Sequence, residues 1–496
     1  MELVPGFIQL LQPLAWTMTA PTFDSLITML TGWMFARRRT VTRMILAASS
    51  SADKHYSSYH RVFSMARWSL DAMGLVVFDL IQPYLGEVVV LGLDDTLACK
   101  RGMKMFGYGM HYDPLFSRGG KKILNWGHRW VVLGVIVEFP FRKGHYFCLP
   151  ILFRLYLNKK KAPKHRRIYR TRPELAVEML EVLCKHRELQ RFHLVADSAY
   201  GGQSVLNHLP ENCDLTSRLV KNARLYDAPP VRKAGTQGRP RKRGNLLSTP
   251  IEMLASRCRR VSFNIYGRSE EARVADCKAH MFAAPNRPLR VVVSEALKGG
   301  RGQNAFYSTC HNATAEQVIA WRAQRWSIEV TFHDSKQHLG FEQPQGWSRK
   351  AVERTAPLAM LLYSLIVLWF ASEGHRLYKP LDCPWYTAKT EASFADMLTT
   401  LRRQSIRKKV FSLALRGQGR IKSYCYWKRW SQWLRNVQKS RLAACLKKSV
   451  RLQPDLFTES LRDKISLNLL IHLQFCALIS AKISRPRSRS TSSTGC

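Results

Sequence analysis

Acidic residues are scarce in this chain. Asp and Glu number 35 against 78 Lys and Arg, a formal charge of +43 over 496 residues. An enzyme of small-molecule chemistry has little use for that imbalance. A polyanionic partner, nucleic acid first, accounts for it most simply. Cysteine pairs are missing too: 12 cysteines are scattered from Cys99 to Cys496 with no C-x2-C. That argues against a zinc ribbon and a disulfide framework, and a reduced cytoplasmic compartment fits. No apolar run reaches bilayer length; the longest, 356–371, has 16 residues including Tyr363 and Ser364. A buried core helix and no membrane partner are the expectation. The N-terminal MELVPGFIQLLQPLAW has no basic region ahead of its apolar residues, unlike a signal peptide. There is no internal repeat. The length allows two or three domains, and 46% hydrophobic content can fill their cores.

The stretch that gathers most chemistry is 321–336, WRAQRWSIEVTFHDSK. It lacks Gly and Pro and follows an N-cap candidate, Asn312 or Thr314, with Gln317 three residues after Thr314. A helix over 315–338 is predicted. On it Arg325, Glu329 and Lys336 are spaced four and seven apart, so they share one face. Taken alone, such a stripe is more commonly an exposed helix face with charge pairing. Two apolar runs upstream end in carboxylates: 88–95, VVVLGLDD, and 192–197, FHLVAD, the second leading into Ser-Ala-Tyr-Gly-Gly. Both are predicted to be short buried strands that stop at the Asp. Sites in open α/β sheets form at strand ends.

Asp95-Thr96 after a strand, Ala-Asp197-Ser-Ala-Tyr-Gly after another, and the helical Arg325-x3-Glu329-x6-Lys336 together resemble the DDE transposases of bacterial insertion sequences. The resemblance covers roughly 88–370. It is closest to the lineage whose ribonuclease-H-like fold carries a β-rich insertion between the second Asp and the Glu. One position departs: Arg322 stands where that family usually has Tyr.

The resemblance implies a mixed α/β fold: a ribonuclease-H-like mixed sheet flanked by helices, with a β-rich insertion and helical N- and C-terminal regions. The expected organisation is a helical module over 1–84, either DNA-binding or a cap on the core. The catalytic domain follows in two parts, 85–218 and 309–380, around the insertion at 219–308. A basic helical region occupies 381–496. Strands are predicted at 130–138, 145–154, 260–266, 273–279 and 289–293, and a helix at 173–187. From 411 to 496 there are 17 Lys or Arg and 3 acidic residues, with Tyr424, Tyr426, Trp427, Trp430 and Trp433 interleaved. Aromatics among cations suit DNA.

The implied chemistry is DNA phosphodiester hydrolysis and strand transfer. Two divalent cations about 4 Å apart activate the attacking oxygen and stabilise the leaving one. Carboxylates are the hard ligands that Mg²⁺ or Mn²⁺ takes. By the resemblance Asp95, Asp197 and Glu329 are the catalytic metal ligands. Asp94 competes with Asp95, since neighbours on a strand face opposite ways. Arg325 and Lys336 are expected on phosphates flanking the scissile bond. Arg239, Arg241, Lys242 and Arg243 form a basic hook for the minor groove, or a charged loop. Trp321 and Trp326 are either core residues or stacking partners for an unstacked base, and His333, one turn after Glu329, either approaches the metal or is a surface or outlying histidine. The expected partner is double-stranded DNA, as terminal inverted repeats and target, met by a homodimer at the bacterial nucleoid. A catalytically decayed, DNA-binding descendant of such an element is the alternative.

Overall fold

In this computed structural model the described residues are 2–415, without 114–115, 118–120, 231–240, 242, 266–267, 283, 298–301 and 381–388. All but the last few belong to the unit Met1–Phe411. The aromatic-basic stretch after 415 lies outside the described residues.

Five helices come first: α1 (Pro5–Leu11), α2 (Ala20–Phe35), α3 (Val41–Ala48), α4 (Tyr56–Ser64) and α5 (Leu70–Ile81). The amphipathic stretch at 59–73 is split between α4 and α5. Trp68 donates its indole N–H to the Val62 carbonyl at 2.7 Å, and Ser69 caps a new helix at Ala72. These helices share the main hydrophobic core with the sheet. Phe7 meets Trp369 edge-on at 6.4 Å, and Phe78 packs on Phe192 at 6.1 Å.

The central sheet begins with β1 (Val88–Cys99), β2 (Gly109–Tyr112), β3 (Leu124–Glu138) and β4 (Tyr146–Tyr156). β3 lies antiparallel between β1 and β4. After α6 (Arg172–His186), β5 (Arg191–Ala196) returns parallel to β1. The short α7 (Gln203–Leu206) leads to β6 (Cys213–Leu219), parallel to β5. The order β4-β3-β1-β5-β6, three antiparallel strands then two parallel ones, is that of a ribonuclease-H-like mixed sheet. β1 does not stop at its aspartates as predicted. β3 continues beside it, pairing Asp95 with Val131 and Cys99 with Gly127, so the carboxylates sit mid-strand. β5 does end immediately before Asp197.

The next elements are β7 (Leu225–Tyr226), β8 (Leu246–Leu247), α8 (Pro250–Ser256), β9 (Arg259–Ile265), β10 (Arg268–Met281), β11 (Ala284–Ala296) and β12 (Asn304–Ser308). β12 pairs antiparallel with β6, so these strands extend the central sheet instead of forming a separate one. Then come α9 (Ala315–Gln324), α10 (Trp326–Leu339), α11 (Arg349–Trp369), α12 (His375–Leu377) and α13 (Phe394–Leu415). Thr314 and Gln317 form a capping box on α9, and Gly340, at φ +67°, ends α10. α11 is apolar and long enough to cross a membrane, yet 89% of its most apolar window lies inside the protein. It is the buried core helix that the run at 356–371 predicts.

Buried histidines add a pH dependence. His193 on β5 is 1% exposed, lies 2.8 Å from Thr216 Oγ1 and stacks on Trp321 at 3.6 Å. Burial pushes its pKa down to about 4. The unfolded chain takes this proton near pH 6.5 and the folded chain only near 4, so the stability it contributes above 6.5 is lost as pH falls to 4. His193→Gln should flatten the acid limb of a melting-temperature profile over that window. A slope equal to the unmodified protein's would contradict this.

Candidate active site

Strand geometry decides which aspartate meets the glutamate helix. Asp94 and Asp95 are neighbours on β1, so their side chains leave opposite faces of the sheet. Asp94 Oδ2 receives a bond from Arg325 Nη1 at 2.7 Å. Arg325 also binds Glu329, one turn along on α10. One guanidinium thus bridges a central-strand carboxylate to a helix carboxylate. Asp197, one residue past β5, is 3.7 Å from Arg322 on the last turn of α9. Asp94, Asp197 and Glu329 all act electrostatically on Arg325.

Asp95 is placed differently. Its carboxylate, 7% exposed, accepts from Arg129 Nη1 at 2.5 Å, Arg172 Nη1 at 2.6 Å and Tyr200 Oη at 2.7 Å. The preference for Asp95 as the partner of Glu329 therefore differs from the observed geometry. The reason is the pleat: the Asp-Thr pattern marks the strand, and the alternation puts Asp94 on the face that α10 covers. Asp95 instead ties β3, the start of α6 and the turn after Asp197 together. Burial, then Asp95 itself, pushes the Tyr200 hydroxyl well up, so it stays a donor. The same turn is fixed from two other sides. Ser217 Oγ donates to the Asp197 carbonyl at 3.2 Å, and Tyr307 Oη to the Gly201 carbonyl at 2.5 Å. A Cβ at Gly201 would lie 2.3 Å from Ser217 Oγ, so glycine is required there.

Charge and burial are balanced against each other in the cluster. Burial pushes the Asp94 carboxyl up to about 6, against the pull of Arg325 and with the push of Asp95 and Glu329. Burial alone would lower the Arg325 pKa; Asp94, Glu329 and Asp197 more than offset it. Burial and the Arg325 cation bring Arg322 down to about 10. Among the described residues the buried Nε donors of both arginines have no partner, an arrangement that suits an anion. Among the described residues no group of three His, Cys, Asp or Glu side chains is poised to hold one ion. Guanidinium groups stand between the carboxylates. The donor set is right for Mg²⁺ or Mn²⁺ in kind: hard oxygens, part-exposed at 21% for Asp94, 41% for Asp197 and 33% for Glu329. Asp94, Asp197 and Glu329 are the residues that would hold such an ion.

The other predicted residues are dispersed. The predicted single helix breaks at Arg325 into α9 and α10. Lys336 Nζ donates to the Leu97 carbonyl at 2.8 Å and lies 3.5 Å from Glu342. His333 is 70% exposed beside Asp334. Trp321 is part-buried under His193, whereas Trp326 is 55% exposed, not a core residue. Arg239 and Lys242 lie outside the described residues. Arg241 is exposed, and Arg243 lies over Tyr226 at 5.0 Å and Phe282 at 4.5 Å. Sequence reasoning did not identify Arg129, Arg172 and Tyr200 as partners of Asp95. Only Tyr200 carried a signal, as part of the second strand's motif.

Asp95→Asn should destabilise the fold by about 2–3 kcal/mol in denaturant unfolding, because it leaves buried cations without their anion and Arg172 is partly solvated. Asp94→Asn should change stability less. Equal midpoints for Asp95→Asn and the unmodified protein would contradict the structural role of Asp95.

Two family comparisons bear on this arrangement. A model described as DDE superfamily endonuclease matches residues 21–266, which include both β1 aspartates and Asp197. A transposase DDE domain model matches residues 174–365, which include Asp197 and Glu329. No curated protein matches the chain. Two overlapping matches spanning 21–365, on a ribonuclease-H-like sheet with acidic residues on β1, after β5 and on α10, show that the chain belongs to the DDE-type transposases.

Proposed function

We propose that this protein is an active transposase that cuts and joins the ends of an insertion sequence, with Asp94, Asp197 and Glu329 as its metal-holding carboxylates. The observation that carries the assignment is the Arg325 bridge between Asp94 and Glu329. Two divalent ions, Mg²⁺ or Mn²⁺, would supply Lewis-acid stabilisation of the attacking and leaving oxygens. The chain's own residues do the rest. Once the carboxylates are engaged elsewhere, Arg325 and Arg322 are free to donate to phosphate oxygens beside the scissile bond, where their unpartnered Nε atoms gain acceptors. Lys336, anchored on the Leu97 carbonyl, presents a cation at the same helix face. Asp95, through Tyr200, keeps the Asp197 turn in place. Hydrolysis at the element's end frees a 3′-hydroxyl, which then attacks target DNA or the opposite strand.

The substrate in this reading is double-stranded DNA: terminal inverted repeats and target, bound by a dimer in the bacterial cytoplasm at the nucleoid. The +43 charge supports a polyanionic substrate. A decayed descendant would bind DNA in a salt-sensitive way and never nick it.

The test is a nicking and joining assay with Mg²⁺ or Mn²⁺ on DNA carrying the element's ends. Asp94→Asn, Asp197→Asn and Glu329→Gln should each lose cutting by roughly 10³-fold or more, as expected for several kcal/mol of lost charge stabilisation, with DNA binding kept. Cutting that survives Glu329→Gln would sink the assignment, and binding without cutting by the unmodified protein would favour decay.

A further inference from the structure

A cavity of about 1020 Å³ opens where the α4–α5 connection, the β4–α6 loop and the first turn of α11 meet. It lies outside the carboxylate cluster. Its walls carry seven cations against three carboxylates. All three carboxylates are already engaged: Asp71 by Arg154, Glu178 by Arg154 and Arg170, Glu353 by Arg167 and Arg349. Arg166 and Lys350, both exposed, are left without a carboxylate partner among the described residues. Arg349 and Lys350 occupy the first turn of α11, which has no acidic residue, and the aligned peptide dipoles already make that end positive. Such a concentration of positive charge is relieved by an anion. A second, independent feature also asks for an acceptor. Trp130, 1% exposed, forms part of the wall, and its indole N–H has no partner among the described residues.

The cavity adjoins the central sheet at β4 and β3. Arg154 of β4 pairs with Val131 of β3, which pairs with Asp95 of β1. Two strand spacings, roughly 10 Å, separate the two. Arg170 at the cavity is two residues from Arg172, which binds Asp95. These arginines line the Asp95 side of the sheet, the face opposite to Asp94.

We propose that this cavity holds the sugar-phosphate backbone of the DNA on which the protein acts, an inference that rests on the transposase reading above. Phosphodiester oxygens match guanidinium, ammonium, indole N–H and helix-end donors, and such contacts fix register without reading bases. The ligand could be one strand of a duplex or a single strand, so the experiment has an arm for each. Full-length Arg166→Glu/Lys350→Glu protein is titrated with duplex and single-stranded oligonucleotides over a salt series without divalent metal. Affinity should fall at least about tenfold in one arm or both. The slope of log K against log salt should shrink by about 1.8 for a duplex or 1.4 for a single strand, two phosphate contacts' worth. The arm with the larger loss identifies the form bound. Affinity and slope unchanged in both arms, in a variant with unaltered melting, would overturn the proposal. Should that variant misfold, a photo-crosslinking residue at Ile168, 87% exposed in the cavity wall, serves instead. Crosslinks to DNA are expected there, and their absence would overturn the proposal. Neither readout needs cutting, so failure of the catalytic reading and failure of this one are separable.

Discussion

Arg325 holds Asp94 of the central strand and Glu329 of its own helix at the same time, while 9% exposed. Removing a buried cation from between two carboxylates would leave like charges facing each other at low dielectric. Arg325 therefore joins β1 to α10, with Lys336 on the Leu97 carbonyl as a second link. It also explains why the cluster is not a ready-made metal cage. A guanidinium is broad and planar, and it spaces its partners for two N–H bonds, not for one small ion. In the proposed reading Asp94, Asp197 and Glu329 would hold the metal and Arg325 would be released to a phosphate.

The two neighbouring aspartates divide the labour because a strand has two faces. Asp94 looks toward α10, and Asp95 looks toward Arg129, Arg172 and Tyr200. The second set matters for placement. Tyr200 is three residues beyond Asp197, so the carboxylate at 95 acts on the carboxylate at 197 through one hydroxyl and a short turn. Ser217, Tyr307 and the bare Cα of Gly201 close the turn from the β6 and β12 side. The insertion thus contributes to the placement of Asp197, since Tyr307 belongs to β12, the strand that joins the inserted strands to the catalytic sheet.

Much of the fold was legible in the sequence, for reasons of pattern. Continuous apolar runs marked β1 and β5. The strands predicted at 260–266, 273–279 and 289–293 overlap β9, β10 and β11, the last two of which begin five residues earlier, and the 16-residue run became α11. What could not be read was set by tertiary pairing. β1 runs past its aspartates because β3 is long enough to carry it. The helix break at Arg325 has no Gly or Pro to announce it. The side-chain partners across the sheet, Arg129 and Arg172 above all, are 34 and 77 residues from Asp95 and follow no spacing rule. The choice between Asp94 and Asp95 needed the register, which a single strand does not contain.

The most direct measurement is metal-directed cleavage of the protein chain itself. Fe²⁺ substituted for Mg²⁺, with ascorbate and peroxide, generates radicals that cut the backbone near the bound ion. The account predicts fragments ending close to residues 94, 197 and 329, suppressed by excess Mg²⁺, abolished in Asp94→Asn and retained in a folded Asp95→Asn. Cuts confined to one of these places, or a pattern lost in Asp95→Asn and kept in Asp94→Asn, would contradict the convergence of Asp94, Asp197 and Glu329 on one metal site.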